Sequence, residues 1–527
     1  MRIVLLNWAP IAEGAARGGG INGYTRALAQ DLLRRGHEVA ALSGGTAYEP
    51  GPIPGEPGPC RIRKLPAWQG IQRYEVLNSP VLAPALPQFR DPRAEVSSPG
   101  LEREVARLIA ELRPDAVHIQ SLEGFSAGCI AAIGAAAPGA RVVFSLHNYH
   151  TICPQVYLMQ GHRRPCHSFD GGRACDGCIP TVDPAAEKRR LATGDSTPAE
   201  FEWKRPENGN AGREEPGGES VWRGLLRRFA NAPPAEAGAP TAPPPAPFIP
   251  PPLWSEAWIT MPARRPLLNI VHPEPACAGP PNAYGQRRLA MIEAINRCDT
   301  VLAVSDFVRR KYETLGVRPE VLRTLHIGTR LGVAPGGVRS EPDPATPRSR
   351  PIRLAFMGYN NWYKGLPMLL ESLALLTPEV LGRFHLHIFA LGGEPADAEL
   401  AGLRPRLAGL TVREGYSHDE LPALLAGIDL GLVTSVWWDN GPQTVLEFLA
   451  CGIPVLGAQL GGIPDFIQDG VNGLLFRGND RWDLARRLAG IAAEPAVLAR
   501  LRDNVKPPKT MTEHTSELEA IYGARVS

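Results

Sequence analysis

"VWWDNGPQTVLEFLACGIPVLGAQLGGIPDF", residues 436–466, puts one acid on a turn and a second inside the apolar run that follows it. Gly441-Pro442 marks the start of a helix there, because proline is preorganised for a first turn. Asp439 then lies just outside the helix N-terminus, and Glu447 a turn or more inside it. A carboxylate accepts two hydroxyl hydrogen bonds at once and so suits a ribose or hexose diol. The free amides at the helix start favour phosphate or sugar oxygens. The competing account is structural: Asp439 as a capping acid, and Glu447 as the buried partner of an arginine.

The segments around this stretch alternate strand and helix. Upstream, "IRLAFMG" reads as a strand, "GLPMLLESLALL" as a helix, "RFHLHIFAL" and "LTVREG" as strands, "HDELPALLAG" as a helix and "IDLGLVTS" as a strand. Downstream come the strand "IPVLGA" and a helix over 481–493. Such alternation builds a doubly wound parallel sheet. The first third of the chain has the same design. "RIVLLN" precedes the glycine-rich "EGAARGGGING", and a helix follows in which Tyr24, Leu28, Leu32 and Leu33 share a face and Gly36 caps the end. The strands "HEVAALSG", "CRIRKL", "DAVHIQ", "RVVFSLHN", "TVLAVSD" and "VLRTLHIG" continue it.

The expected organisation is therefore two Rossmann-like α/β domains facing across a cleft. Residues 1–181 open the N-terminal domain and carry a Cys-rich loop at 150–180. Residues 182–255 are a Pro-rich, mostly disordered insertion, since "PPAEAGAPTAPPPAPFIPPP" can neither propagate a helix nor pair inside a sheet. Within it, Trp222, Leu225, Leu226 and Phe229 form a helical stripe, with Arg223, Arg227 and Arg228 elsewhere around the helix. That stripe suits packing on its own domain or, alternatively, a membrane surface. Residues 256–337 complete the N-terminal domain, 338–351 are a linker, 352–505 form the C-terminal domain and 506–527 a closing helix.

Bulk properties limit the function classes. A chain of 527 residues with 44% hydrophobic and 21% charged residues can bury two sizeable cores. A net charge of +2 argues against an electrostatically driven nucleic-acid binder. No apolar run reaches the roughly eighteen residues of a membrane span. The opening "MRIVLLNWAP" shows no signal-peptide pattern, and nine cysteines fit a reducing compartment, so a cytoplasmic location is expected.

Two further places can carry chemistry. Gly18, Gly19 and Gly20 lie between the first strand and its helix, where backbone can approach a ligand closely and helix amides favour phosphate. The pattern is not G-x-G-x-x-G, so a dinucleotide site is poorly supported. In "FMGYNNWYKG", Gly358 ends a strand and Lys364 stands before Gly365 and a helix, placed to neutralise a diphosphate as a point charge. Without support from other residues, the glycine motif is equally well a flexible turn, and the lysine motif reads better as a solvated lysine.

Taken together and in order, "GGINGYTRALAQDLLRRGHEVAAL", "RPDAVHIQ", "CDTVLAVSDFVRRKYETLGV", "FMGYNNWYKG", "EGYSHDELPALLAGIDLGLVTS" and "DNGPQTVLEFLACGIPVLGAQLGGIPDFIQDGVNGLLF" resemble a retaining glycosyltransferase of the GT-B fold, family 4 type. The resemblance covers most of 1–180 and 285–525. It implies an N-terminal acceptor-side domain and a C-terminal domain for a nucleotide-sugar donor. Glu447 matches the acid that binds the nucleotide ribose, and Asp439 the acid that contacts the donor sugar. Lys364 matches the lysine beside the donor diphosphate, with Gly358, Asn440 and Gly441 in the same motifs. Gly19 and Gly20 match the glycine pair that closes over the phosphates.

Three departures stand out. The first acid is Asp439 rather than Glu, the usual Arg after the strand glycine is Tyr359, and a catalytic-side His aligns with Gln120. Arg330 and Arg353 are candidates to replace the missing cation. His147 resembles the family's strand-end histidine and is, ahead of His118, the expected acceptor-side histidine, a structural strand-end histidine being the alternative. The resemblance implies transfer to a glycan or lipid-linked acceptor in surface or extracellular glycan synthesis. It requires no metal for catalysis, leaves oligomeric state open, and allows peripheral contact with the inner face of a membrane. A nucleotide-sugar epimerase or hydrolase on the same fold, or a decayed sugar-nucleotide binder, is the alternative.

Cys153, Cys166, Cys175 and Cys178 fall in one polar loop, and the C-x-x-C pair can bite one metal. Structural zinc is the expectation, with His147, His150, His162 and His167 as substitute ligands. An iron–sulfur cluster, disulfides and free thiols are the alternatives.

Overall fold

The computed structural model describes residues 1–162, 164–194, 279–331, 350–391 and 400–524, with single residues 269, 271, 274 and 277. The amphipathic stripe at 222–229, most of the Pro-rich stretch and most of the 338–351 linker lie outside the described residues. Within 182–255, Pro184–Ala192 is a helix capped by the Asp183 carboxylate, which accepts from the Ala185 N–H.

Strands form where β-branched and other apolar residues run between turn signals, and both sheets are mainly parallel. The first has eight strands: β1 Arg2–Leu6, β2 Glu38–Ala47, β3 Arg61–Trp68, β4 Ile71–Leu77, β5 Ala116–Ile119, β6 Arg141–Leu146, β9 Thr300–Ala303 and β10 Leu322–Thr324. A two-stranded ribbon, β7 Met159–Gln160 and β8 Arg164–Pro165, stands apart. The order is β10-β9-β6-β5-β1-β2-β4-β3, with β3 antiparallel to β4. Ile3, Val4, Leu5 and Leu6 of β1 are buried, as expected of a strand covered on both faces.

The second sheet contains β11 Ile352–Tyr359, β12 Phe384–Leu391, β13 Gly409–Glu414, β14 Leu430–Val433, β15 Val455–Ala458 and β16 Gly473–Phe476. Its order, β13-β12-β11-β14-β15-β16, is all-parallel and reverses direction between β11 and β14. In an open sheet of this kind, ligands bind beyond the strand carboxyl ends at that reversal. The loops after β11 and β14 carry Lys364 and Asp439.

The closing helix, Met511–Gly523, crosses back onto the first domain. Glu519 pairs with Arg35 at 2.7 Å, and the Tyr24 hydroxyl meets His514 Nε2 at 2.6 Å. Gly36, with φ +83°, follows the helix Gly19–Arg34 and lets the chain turn into β2. Among the described residues, no helix is long and apolar enough to cross a membrane.

Candidate donor site in the cleft

Lys364 and Asp439 are 75 residues apart, and the Lys364 Nζ donates to Asp439 Oδ2 at 2.8 Å. Close backbone packing accounts for the meeting. Gly365 has φ +80°, and a Cβ there would stand 1.8 Å from the Thr434 carbonyl oxygen, so only glycine lets the two loops touch. The Val436 N–H donates to the Tyr363 carbonyl at 3.0 Å, and the Thr434 hydroxyl to the Gly365 carbonyl at 3.1 Å. Asn361 caps the short turn that holds Lys364. A Cβ on Gly358, whose φ is +147°, would meet the Lys364 stem at 3.9 Å.

Gly461 and Gly462 complete the seat of Asp439. A Cβ on Gly461 would lie 2.2 Å from the Asp439 carbonyl oxygen, and one on Gly462 2.3 Å from that of Asn440. The Gly462 N–H donates to the Asp439 carbonyl at 2.7 Å, and the Ser435 hydroxyl to the carboxylate at 3.2 Å. Burial works against the Lys364 charge, but the Asp439 carboxylate outweighs it and lifts the ammonium above its ordinary value. One of its three N–H bonds serves Asp439, which leaves two for a ligand.

The helix carrying Glu447 runs Gln443–Ala450, with Pro442 one residue before it rather than inside its first turn. Glu447 is buried. Its Oε1 lies 3.8 Å from Arg330 Nη2 and 2.8 Å from His418 Nε2, the latter without the alignment of a hydrogen bond. Arg330 comes from the first domain, just after β10, and also donates to Gln443 Oε1 at 2.9 Å. A Cβ on Gly23 would stand 2.3 Å from the Arg330 guanidinium, so glycine opens its path into the cleft. Burial lowers the Arg330 pKa, and the Glu447 carboxylate opposes that shift.

Opposite this helix is the glycine loop. Asn22, fully buried, has its amide nitrogen within hydrogen-bond distance of the carbonyls of Pro10, Gly14 and Arg17, and so folds the loop back on its helix. Gly19 has φ +58°, and a Cβ there would be 3.4 Å from the Tyr359 hydroxyl. Gln443 Nε2 donates to the Gly20 carbonyl at 2.9 Å, and the Tyr359 hydroxyl to the Ala15 carbonyl at 3.4 Å. Glycine loop, Tyr359, Arg330, Gln443 and Glu447 thus form one neighbourhood across the two domains. Of the two replacement cations, Arg330 is in the cleft. Arg353 sits at the opposite, amino end of β11, where its N–H donates to Asp429.

The two candidate histidines separate clearly. His147, at the carboxyl end of β6, is half-buried, packs on Tyr24 at 4.7 Å and meets Gln120 Oε1 at 2.8 Å through Nε2. Burial pushes its pKa down to about 3, so the ring is neutral. His118 corrects the expectation. It is fully enclosed, with Nδ1 2.6 Å from the Tyr522 hydroxyl and Nε2 2.8 Å from the Ser145 hydroxyl, so both ring nitrogens are committed to the fold.

The zinc expectation is also corrected. All nine cysteines are free thiols, and among the described residues no three His, Cys, Asp or Glu side chains are grouped to hold a metal. Burial pushes Cys153 up to about 11 and Cys166 up to about 12, and raises Cys175 as well. Cys178 Sγ accepts from the Gly161 N–H at 3.2 Å and from Gln155 at 3.3 Å. Cys175 packs with Phe89, Phe169 and Ile179 in a small apolar cluster. Core packing, which the polar sequence of the loop disguised, accounts for Cys175. His150 is held by Glu95 at 2.6 Å, and His167 packs on Trp438.

Gln443 and the aromatic wall of Tyr149, Tyr157, Tyr363 and Trp437 were missed by sequence reasoning. Tyr157 and Tyr363 meet across the cleft, ring centroids 4.4 Å apart and hydroxyls 3.0 Å apart. Their only signal was an excess of aromatics in segments already marked by acids or cysteines.

Comparison with known proteins agrees with this architecture. Residues 351–494 match the family described as glycosyl transferases group 1, and residues 19–191 the glycosyl transferase 4-like domain. The two matches together cover more than half of the chain. A D-inositol 3-phosphate glycosyltransferase of Kribbella flavida is 30% identical over 226 residues, 40% of this chain and 52% of that protein. The enzyme of the same name from Streptomyces bingchenggensis is 30% identical over 201 residues, 35% of this chain and 43% of that protein. The chain thus spans about half the length of the curated relatives it matches.

Among solved structures, sucrose-phosphate synthase from Thermosynechococcus elongatus aligns with a TM-score of 0.54 at 14% identity, over 99% of this chain and 98% of that one. The Anabaena HepE structure in complex with UDP aligns with a TM-score of 0.51 at 13% identity, over 99% of this chain and 100% of that one. These likenesses establish the GT-B fold.

Proposed function

Because this chain belongs to the glycosyl transferases group 1 family, we propose that it transfers a glycosyl group from a nucleotide-sugar donor to an acceptor hydroxyl, with retention at the anomeric carbon. The observation that carries this is the convergence of Lys364 and Asp439 with Glu447 and Arg330 beyond the carboxyl ends of β11 and β14, facing the glycine loop. In this reading Glu447 accepts from the ribose hydroxyls and Asp439 from the sugar. The diphosphate lies between Lys364, Arg330 and the amides of Gly19, Gly20 and Gly441. Arg330 stands in for the arginine replaced by Tyr359.

The reaction breaks the bond between the anomeric carbon and the phosphate oxygen, and the electron pair leaves with the diphosphate. The acceptor oxygen bonds to the anomeric carbon on the same face, and its proton passes to the departing phosphate oxygen. Positive groups fixed in advance where this charge develops are worth more than the same groups in water. Lys364 supplies that potential with two free N–H bonds. Closure of the cleft keeps water from hydrolysing the donor. His147, neutral and at the acceptor-side strand ends, accepts from or donates to the acceptor hydroxyl. A surface or extracellular glycan, or its lipid-linked precursor, is the acceptor class that the family resemblance favours.

The test is to incubate the full chain with a panel of nucleotide sugars and glycan acceptors, follow release of free nucleotide, and read the anomeric configuration of the product by proton NMR. Acceptor-dependent release with retained configuration is expected. An epimerised donor, or binding without turnover, contradicts the proposal.

A further inference from the structure

Around Asp439, four buried polar side-chain atoms on three residues have no hydrogen-bond partner: the Tyr149 hydroxyl, Trp437 Nε1, and Asn440 Nδ2 and Oδ1. The three residues are 0%, 6% and 2% exposed. They come from both sides of the cleft. Tyr149 follows β6 in the first domain, and Trp437 and Asn440 flank Asp439 in the second. The Tyr149 and Trp437 rings meet edge to face at 6.2 Å. Lys364 Nζ lies 5.6 Å from the centre of the Trp437 ring, whose backbone carbonyl accepts from the Asp439 N–H at 2.9 Å. Burial, the neighbouring Tyr312 and the charge of Asp439 all raise the Tyr149 pKa, which places its hydroxyl within reach of that carboxylate's field.

Each buried polar group left unpaired costs about 1–3 kcal/mol, and folded chains satisfy nearly all of them. Several such atoms beside one paired carboxylate are therefore better explained by a ligand than by the fold. Their chemistry describes that ligand. The indole N–H and the amide NH₂ donate, the amide oxygen accepts, and the phenol does either. Sugar hydroxyls, which both donate and accept, match this mixed set. A carboxylate only accepts, so it would leave the Asn440 amide oxygen unpaired and face the like charge of Asp439.

We propose that Tyr149, Trp437 and Asn440 are the specificity-determining wall for the donor's glycosyl group, and that they select an uncharged hexose over a uronic acid. This rests on the donor-site reading above. It adds a residue from the acceptor-side domain to donor recognition, so the sugar is fully read only when the cleft is closed.

Calorimetric titration of the full chain tests it, using UDP, GDP, UDP-glucose, UDP-galactose, GDP-mannose and UDP-glucuronate as probes, alongside Tyr149→Phe and Asn440→Leu. The wild type is expected to bind at least one hexose nucleotide more tightly than the bare nucleotide, and UDP-glucuronate no more tightly than UDP. Each variant should keep its nucleotide Kd within about twofold and lose about tenfold of the gain due to the sugar, the scale of one hydrogen bond. Each should melt at the wild-type temperature or above, because an unpaired buried polar group has been removed. A purely structural role predicts the reverse, a lower melting temperature with the sugar gain intact, and that result overturns the inference. So does an equal gain for UDP-glucuronate. If the wild type binds no nucleotide at all, the donor-site reading falls and takes this inference with it. If nucleotide binding persists and only the variants behave as wild type, this inference alone falls.

Discussion

Lys364 is pulled two ways, since burial disfavours its charge and Asp439 restores it. Replacing it with methionine keeps the stem, removes the charge at the diphosphate and leaves Asp439 with the Ser435 hydroxyl but without its cation. Lys364→Met should lower kcat/KM about 10²–10³-fold, the cost of losing one preorganised charge-stabilising donor. Steady-state kinetics with saturating acceptor checks this. Arg330 and Arg353 make a matched pair of arginines. Arg330→Ala should weaken nucleotide binding about tenfold or more, as expected for loss of a charged contact, while Arg353→Ala leaves it within about twofold. Equal effects would remove Arg330 from the site. As expectations for the candidate site, Asp439 and Glu447 could be picked out because acids beside and inside an apolar run have few structural uses, whereas Lys364, by itself better read as a solvated lysine, drew its support from the other motifs. Arg330 was only one of two candidates, because which arginine enters the cleft depends on Gly23 leaving it room.

At the scale of elements, the site is a product of backbone proximity. Gly461 and Gly462 press against residues 438–440, and Gly365 against Thr434. Gly461→Ala puts a side chain into a left-handed position and against the Asp439 carbonyl, so it should destabilise the chain by about 1–3 kcal/mol. Urea denaturation measures the loss, and an unchanged midpoint contradicts it. The two parallel α/β domains, most strand positions and the closing helix were readable because alternating apolar runs with glycine and proline punctuation leave few alternatives, whereas the strand order and the strands Ile71–Leu77 and Gly473–Phe476 were not. The Cys-rich segment was misjudged for the opposite reason. Metal ligation is inferred from spacing along the chain, whereas Phe89, which packs with Cys175, is distant in sequence. His118 shows the same limit: a strand-end histidine reads alike whether it faces a substrate or, as here, Tyr522 and Ser145.

At the scale of the whole molecule, a buried ionic cluster joins segments on either side of the Pro-rich insertion. Arg287 donates to Glu95 at 2.6 Å and 3.0 Å across 192 residues, and His150 lies 2.6 Å from the same carboxylate. Burial pushes the Glu95 carboxyl up, but the Arg287 charge and the hydrogen bonds from His150 and Arg287 outweigh it and hold the pKa at about 2. A folded-state value below the ordinary 4.5 contributes stability that is present above pH 4.5 and lost as pH falls towards 2. Glu95→Gln should cost about 3–5 kcal/mol near neutrality, because it strands Arg287, and should flatten the acid limb of the stability profile. Denaturant midpoints between pH 7 and pH 3 follow both effects. A variant whose acid limb parallels the wild type contradicts the assignment.

Among the described residues, the polar contacts between the two domains include Gln443 to Gly20, Arg330 to Gln443, Tyr359 to Ala15, Tyr157 to Tyr363 and His326 to Asp465. Such a seam is suited to opening and closing around a donor. The most direct measurement is calorimetric titration of the cognate nucleoside diphosphate into the wild type, Lys364→Met and Glu447→Gln. The wild type should bind in a single site, and Lys364→Met and Glu447→Gln should each weaken binding about tenfold to a hundredfold, the range for hydrogen bonds to charged groups. Wild-type affinity in both variants would contradict a nucleotide-sugar site in this cleft.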